Sequence, residues 1–350
     1  MDTKIDIRQL SLEELTDKLV AFGEKPFRAK QVYEWLWKKR ATSFDDMTNL
    51  SKSLRTIIDD NFEIRAISLQ EAQKSKDKTI KNAFLLADEA VVEGVLIPTR
   101  KRMTACVSVQ VGCSLDCAFC ATGKLKRVRN LNPDEIYDQV AMISKQSIDE
   151  YDIPLSNIVF MGMGEPLLNY KNVIASIDKI TSPDGLGMSP KRITVSTAGI
   201  SKMIKKLADD EIKFNLALSL HAANDVKRNK IMPINEKNSL EVLREAMIYF
   251  HKKTRTRPTL EYIIFKDFND EIKDAEELAE FCLSFPSKVN IIEYNPIDGG
   301  KYQQADEAKV DAFADYLESQ NIIVNMRRSR GKDIDAACGQ LANKNKLTQN

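Results

Sequence analysis

Between Cys106 and Arg327 the sequence repeats one unit, an apolar run of strand length followed by an amphipathic run of helix length. The strand-like runs are CVSVQV, NIVFMG, RITVST, KFNLALSLH, TLEYIIF, VNIIEYN and NIIVNMR, and the helix-like runs between them begin PDEIYDQV, NVIASIDK, GISKMIKK, SLEVLREA, EIKDAEEL and ADEAKVDA. Strands joined through helices pair in parallel, each helix crossing back over the sheet. Seven such strands and six crossovers favour a complete or partial (βα) barrel over an open doubly wound sheet. The loops that follow the strands then converge on one mouth, where barrel proteins build their sites.

Ahead of this pattern the chain reads differently. Ser11 and Glu14 form a capping box before LEELTDKLV, Phe27 to Lys39 is amphipathic, and a third helical run follows Ser51. From Glu63 to Pro98 the pattern turns strand-like, with FLLA and VVEGVLIP joined at the polar pair Asp88-Glu89. We therefore expect an α/β chain with two parts. Residues 1–95 form a small helical accessory domain with a strand-rich linker, a candidate for RNA binding, and 96–350 form the barrel and a C-terminal catalytic loop. A balance of 52 Lys+Arg against 51 Asp+Glu rules out a globally basic coat, so any polyanion must be met by local patches. MDTKIDIRQL lacks the apolar stretch of a secretory signal, and no run approaches the roughly 18 apolar residues of a membrane span. A cytoplasmic protein without membrane contact is expected, and six cysteines are too sparse for a disulfide scaffold.

Cys113, Cys117 and Cys120 form C-x-x-x-C-x-x-C directly after the first barrel strand. Three thiols within eight residues at a barrel mouth point to metal. Zinc usually takes a fourth protein ligand from a second Cys or His pair, and none lies nearby in sequence. An iron-sulfur cluster tolerates three thiolates and an open iron. The motif resembles the signature of the radical S-adenosylmethionine (SAM) superfamily, and Phe119 fits the aromatic that packs there at the adenine end of SAM. That resemblance implies a partial (βα)6-type radical-SAM barrel holding a 4Fe-4S cluster at Cys113, Cys117 and Cys120, which cleaves SAM reductively to a deoxyadenosyl radical.

Other strand ends bring polar groups to the same mouth. Gly164 and Glu165 in MGMGEP resemble the superfamily's Gly-Glu segment, which holds the amine of SAM. Alternation along ITVST and NLALSLH gathers Ser196 with Thr194, and Ser219 with Asn215 and His221, on small polar faces. Ser196, Ser219, Leu220, His221 and Asn295, all at or near strand ends, complete the expected cofactor contacts.

Three cysteines remain. Cys282, in LAEFCLSF, reads as a buried inert thiol, whereas Cys106 shares its face with Ser108 and Gln110, and Cys338 follows the charged, Gly-containing MRRSRGKD. MGMGEPLLN, SLHA, MPIN and above all RRSRGKDIDAACGQL are similar to segments of the bacterial dual-specificity RNA adenine-C2 methyltransferases, the RlmN family, and the similarity spans essentially the whole chain. By that resemblance Cys338 accepts a methyl group from one SAM, and the radical from a second SAM takes hydrogen from it, so that the methylene radical adds to adenine C2. Glu93 is the implied base, and Cys106 the implied resolving cysteine that frees the product by a disulfide with Cys338.

The implied substrates are 23S rRNA and the adenosine beside the tRNA anticodon, with two SAM per turnover, a reducing electron donor and a monomeric enzyme. Basic segments that could hold RNA are Arg100–Arg102, then Lys124, Lys126, Arg127 and Arg129, then Arg327, Arg328, Arg330 and Lys332, with Trp35, Trp37 and Lys38 to Arg40 as a possible extension. Two alternatives stand beside this reading: the related resistance family that methylates adenine C8, and a zinc-stabilised RNA-binding protein without catalysis.

Overall fold

The computed structural model describes residues 4–100 and 102–343. Its N-terminal unit packs three helices, α1 (Leu12–Ala21), α2 (Phe27–Trp37) and α3 (Lys52–Asn61). The capping box starts α1: Ser11 Oγ accepts from the Glu14 amide at 3.1 Å, and the Glu14 carboxylate accepts from the Ser11 amide at 2.7 Å. Leu15 and Leu19, Ala29 and Val32, and Leu54 and Ile58 are fully buried, so each helix contributes one apolar stripe to a common core. The unit is pinned to α4 (Pro133–Tyr151), a barrel helix, by Trp37 edge-on to Tyr137 with ring centres 5.2 Å apart. The buried Arg8 guanidinium adds ion pairs to Asp138 at 2.7 Å and Asp134 at 3.1 Å on the same helix.

Ten strands form one sheet: β1 (Ser68–Lys74), β2 (Ile80–Leu85), β3 (Val91–Thr99), β4 (Arg102–Cys106), β5 (Asn157–Phe160), β6 (Ile193–Thr197), β7 (Asn215–Ser219), β8 (Thr259–Ile264), β9 (Lys288–Glu293) and β10 (Ile323–Arg327). They lie side by side in chain order. The first four are antiparallel neighbours, and β4 to β10 are parallel, joined by α4, α5 (Tyr170–Thr181), α6 (Ser201–Asp209), α7 (Asp225–Ile231) with α8 (Leu240–Thr254), α9 (Ile272–Leu283) and α10 (Glu307–Ser319). This is the expected partial barrel, with a helical N-terminal domain beside it.

Two details differ from the sequence reading. The division expected after residue 95 falls inside β3, whose Val95 pairs with Cys106, so the antiparallel hairpins extend the barrel sheet itself. The first barrel strand also ends where CVSVQV was expected to begin. Beyond Cys106 the Ser108 amide donates to Gln139 Oε1 on α4 at 2.9 Å, taking it out of the ladder, and Gln110–Val111 pair instead with Arg129–Asn130. Cys106 is thereby the last residue of β4 and stands at the mouth.

Candidate functional site at the open end of the sheet

The parallel strands end on a solvent-open cavity, the end of such a sheet at which barrel proteins take their cofactors. A second cavity adjoins it beneath the C-terminal loop, and Cys120, Thr122, Arg327, Cys338 and Gly339 line both.

Cys113, Cys117 and Cys120 all line the larger cavity. Their loop is held locally, Cys120 N donating to Cys117 O at 3.1 Å and Gly123 N to Cys120 O at 3.1 Å, and is tied to the end of α7 by Ala118 N donating to Ile231 O at 2.9 Å. Burial pushes the Cys113 thiol up to about 11 and Cys117 well above its ordinary range. Backbone N–H groups of Leu115 and Ser114 at Cys113, and of Gly123 and Thr122 at Cys120, pull the other way. Metal binding removes such protons. Among the described residues no three His, Cys, Asp or Glu side chains gather closely enough to share one ion. Three thiols lining one cavity, with backbone N–H groups near two of them, would suit an iron-sulfur cluster.

Facing the thiols, Gly164 adopts φ +97°, and a Cβ there would lie 2.5 Å from the Gln110 side chain, so only glycine gives the cavity this wall. The neighbouring Glu165 is buried, its carboxylate accepting from the Leu167 amide at 2.9 Å and the Ala198 amide at 2.8 Å. Ser196 Oγ lies 3.2 Å from Ser219 Oγ across β6 and β7. His221 Nδ1 accepts from the Ile263 amide at 3.1 Å, and its ring meets Phe119 edge-on at 4.7 Å. Burial, aided by the Arg228 charge, lowers the His221 pKa to about 3, so the imidazole is neutral.

Of the expected cofactor contacts, Gly164, Glu165, Ser196, Ser219 and His221 line the cavity, while Leu220 and Asn295 do not. Leu220 is fully buried in the apolar core, as strand alternation dictates. Asn295 lies under the C-terminal loop, its Nδ2 donating to Cys338 O at 3.2 Å and its buried Oδ1 without a partner among the described residues.

The C-terminal loop is fastened across the mouth by contacts from distant segments. Gly331 N donates to Asp77 Oδ2 at 2.9 Å, Lys76 N donates to Asp333 Oδ2 at 3.1 Å, Ala121 N to Gly339 O at 2.7 Å, and Thr122 Oγ1 to Leu341 O at 2.6 Å. This holds the exposed Cys338 over the cavity that Cys106 also lines. The Cys106 thiol is pushed up to about 12, by burial first and by Cys338 second, with Arg327 opposing. All six cysteines are free thiols, so the disulfide that the resemblance implied between Cys106 and Cys338 is not formed in this structure. Glu93, the expected base, lines neither cavity. Its Oε2 accepts from the amides of Ala342 at 2.8 Å and Asn343 at 3.1 Å, and Lys81 Nζ stands 3.5 Å from Oε1.

Sequence reasoning missed Glu261, whose Oε2 receives Arg327 Nη1 at 3.0 Å and whose Oε1 accepts from Asn290 Nδ2 at 2.8 Å. Its signal was an acidic residue in the otherwise apolar run TLEYIIF. The expected basic rim is also thinner than the sequence suggested. Arg327 is spent on Glu261, Arg129 on Asp88 and Glu135, Arg328 on Glu293 and Glu307, and Lys332 on Glu293. Arg100, Arg102, Lys126, Arg127 and Arg330 remain exposed, and Lys101 lies outside the described residues. Trp37 is core, whereas Trp35 is half-buried under Lys39, 3.9 Å from its ring centre.

Comparison with known proteins agrees with this geometry. Residues 5–64 match the model of the ribosomal RNA large subunit methyltransferase N-terminal domain, and residues 107–282 that of the radical SAM superfamily. A protein of Christiangramia forsetii, described as a probable dual-specificity RNA methyltransferase RlmN, is 62% identical over 98% of this chain and 97% of its own length. The dual-specificity RNA methyltransferase RlmN of Geobacter sulfurreducens is 42% identical over 98% of this chain and 94% of its own. The crystal structure of a radical SAM methyltransferase from Sphaerobacter thermophilus superimposes with a TM-score of 0.91 at 35% identity, covering 96% of this chain and 99% of that one.

Proposed function

This chain belongs to the RlmN family of radical-SAM RNA methyltransferases, and from that premise we propose that it methylates adenine C2 in 23S rRNA and in tRNA beside the anticodon. The observation that carries the reading is the placement of Cys338: it lines both the cavity shared by Cys113, Cys117 and Cys120 and the cavity that holds Cys106. A methyl carrier must reach the cofactor, the base and the thiol that later releases it, and Cys338 stands where these three meet.

Cys113, Cys117 and Cys120 hold the 4Fe-4S cluster, with Gly164, Glu165, Ser196, Ser219 and His221 around SAM. When bound, the cluster and SAM supply a carbon radical able to take hydrogen from an S-methyl group. Adenine C2 is an electron-poor amidine carbon, which reacts with a carbon radical where polar methyl transfer fails. Cys338 thiolate accepts the methyl group from one SAM, a second SAM is consumed for the radical, and the chain becomes joined to the base through a thioether. Glu93 takes the C2 proton once Ala342 and Asn343 release its carboxylate, and the adduct gives up one electron, balancing the one that SAM cleavage consumed. Cys106 then closes a transient disulfide with Cys338, the electron pair of the broken C–S bond and a proton complete the methyl group on the freed base, and an external reductant restores both thiols; the shared cavity of the two cysteines supports this role. The target adenine must leave its stack to enter, so loops with unpaired bases are the substrates, in a cytoplasmic setting.

Nucleoside mass spectrometry of 23S rRNA and tRNA incubated with reduced enzyme and SAM tests the reading. We expect 2-methyladenosine from both. 8-Methyladenosine in its place would assign the chain to the other regiochemistry, and zinc without iron in the anaerobically purified protein would remove catalysis from the account.

A further inference from the structure

Arg228 on α7 is fully buried. Its guanidinium donates to Leu220 O at 3.0 Å, Asn235 Oδ1 at 2.6 Å, Ala198 O at 2.7 Å and Ser219 O at 3.1 Å, all neutral acceptors. The nearest acid on its own element, Asp225, is one residue removed: its Oδ1 accepts from Asn235 Nδ2 at 2.7 Å and from the Leu240 amide at 3.0 Å. A buried charge is ordinarily matched by an opposite one, because desolvation is costly and neutral acceptors compensate only part of it. Asp225 attracts the cation from beyond Asn235, but among the described residues no carboxylate accepts a hydrogen bond from it.

Its position says what the missing anion is. Two of the four acceptors, Ala198 and Ser219, line the large cavity from below. The turn that ends α7 is bonded to the cysteine loop itself, through Ala118 N donating to Ile231 O at 2.9 Å. The adjoining His221 is neutral and supplies no charge there. Three thiolates on an iron-sulfur core carry net negative charge, and reduction adds another electron.

We propose that Arg228 is the built-in counter-charge of the cluster, a positioning residue that stabilises the three-thiolate group and raises its reduction potential. The proposal rests on the cluster assigned above. It acts through the electrostatic field, since its hydrogen bonds are already committed to the ends of β6 and β7.

The test uses full-length protein reconstituted anaerobically with iron and sulfide, and reads iron content and an EPR-monitored potentiometric titration. Arg228→Met removes the charge. Asn235→Asp keeps the arginine and its bonds but gives it an adjacent carboxylate. At the wild-type midpoint we expect the ratio of reduced to oxidised cluster to fall about tenfold in both variants. Arg228→Lys, which retains the charge and loses the fork of hydrogen bonds, should stay near the wild-type midpoint. Wild-type midpoints in folded, iron-loaded Arg228→Met and Asn235→Asp would overturn the proposal, as would an Arg228→Lys midpoint as low as that of Arg228→Met. If Arg228→Met does not load, Asn235→Asp and Arg228→Lys decide between charge and scaffold in the same way, and loss of iron from both with folding intact counts against the proposal. A wild-type protein that takes up no iron would instead refute the cluster assignment.

Discussion

The cysteine loop and the C-terminal loop meet at the same mouth, joined by Ala121 N to Gly339 O and Thr122 Oγ1 to Leu341 O, yet they are held there in different ways. The first is organised by its own backbone, with successive bonds inside residues 113–125 and one tie to α7. The second is fastened by side chains 250 or more residues away in sequence, Asp77 to Gly331 and Glu93 to Asn343 among them. A local loop forms a site as soon as its strand and helix do. A loop fastened at a distance docks only when the antiparallel hairpins beside the barrel are in place, and its docking can be undone without unfolding the barrel. The chemistry proposed here needs both properties: a fixed group to generate the radical, and a carrier thiol that moves between cofactor, base and resolving cysteine.

The sharpest way to separate the two loops is to remove one thiol from each. Cys117→Ala should abolish turnover and lose iron while leaving Cys338 open to alkylation. Cys338→Ala should abolish turnover as completely but keep its full iron content. Iron analysis beside mass mapping of alkylated peptides checks both, and iron loss in Cys338→Ala would mean that the loops form one unit.

Cys106→Ala sharpens the comparison from the carrier side. Iron binding and methylation of Cys338 should survive, and a ribonuclease-sensitive protein–RNA species should build up on denaturing gels. Full turnover without that species would leave Cys106 as a buried thiol with no part in release.

A smaller effect is expected from the fastening itself. Asp77→Ala removes the carboxylate that receives the Gly331 amide, a charge-assisted bond of roughly 1.5–3 kcal/mol. Amide exchange across residues 331–343 should quicken several-fold, with the rate across 113–125 unchanged. Equal acceleration in both segments would show the two loops to be cooperative.

How far each loop could be read in advance follows the same division. C-x-x-x-C-x-x-C is a spacing within eight residues, so the proposed cluster ligands were legible together with their place beyond a strand end. Strand alternation likewise put Ser196, Ser219 and His221 at the mouth, whereas the expectation that Leu220 would join them was wrong, because the same alternation turns it into the core. What could not be read was pairing across the chain. Nothing local marks Glu261 as the partner of Arg327, or Glu293 as the anchor of Arg328 and Lys332, so those arginines and that lysine looked free for RNA. The same blindness placed a domain boundary inside β3, because the hairpin's turn at Asp88-Glu89 is a local signal and its ladder to β4 is not.

An effect seen only on acidification lies at His221, on the wall of the larger cavity. His221 is neutral when folded, with its pKa lowered to about 3 from an ordinary 6.5, so between those values the unfolded chain binds more protons than the folded one. Stability should be fully present above pH 6.5 and fall as pH drops toward 3, by at most about 1.4 kcal/mol per pH unit from this group. Denaturant titrations of His221→Gln against wild type across that range should differ by this slope, and parallel pH profiles would place the acid sensitivity elsewhere.

The central claim is that Cys338 delivers the methyl carbon to adenine after losing one of its hydrogens, and SAM carrying a trideuterated methyl group tests it most directly. If the carbon travels through Cys338 as proposed, mass spectrometry of the RNA nucleosides should find the new methyl group on C2 with two deuteriums and one hydrogen. Transfer of an intact trideuterated methyl group to the base would contradict the account.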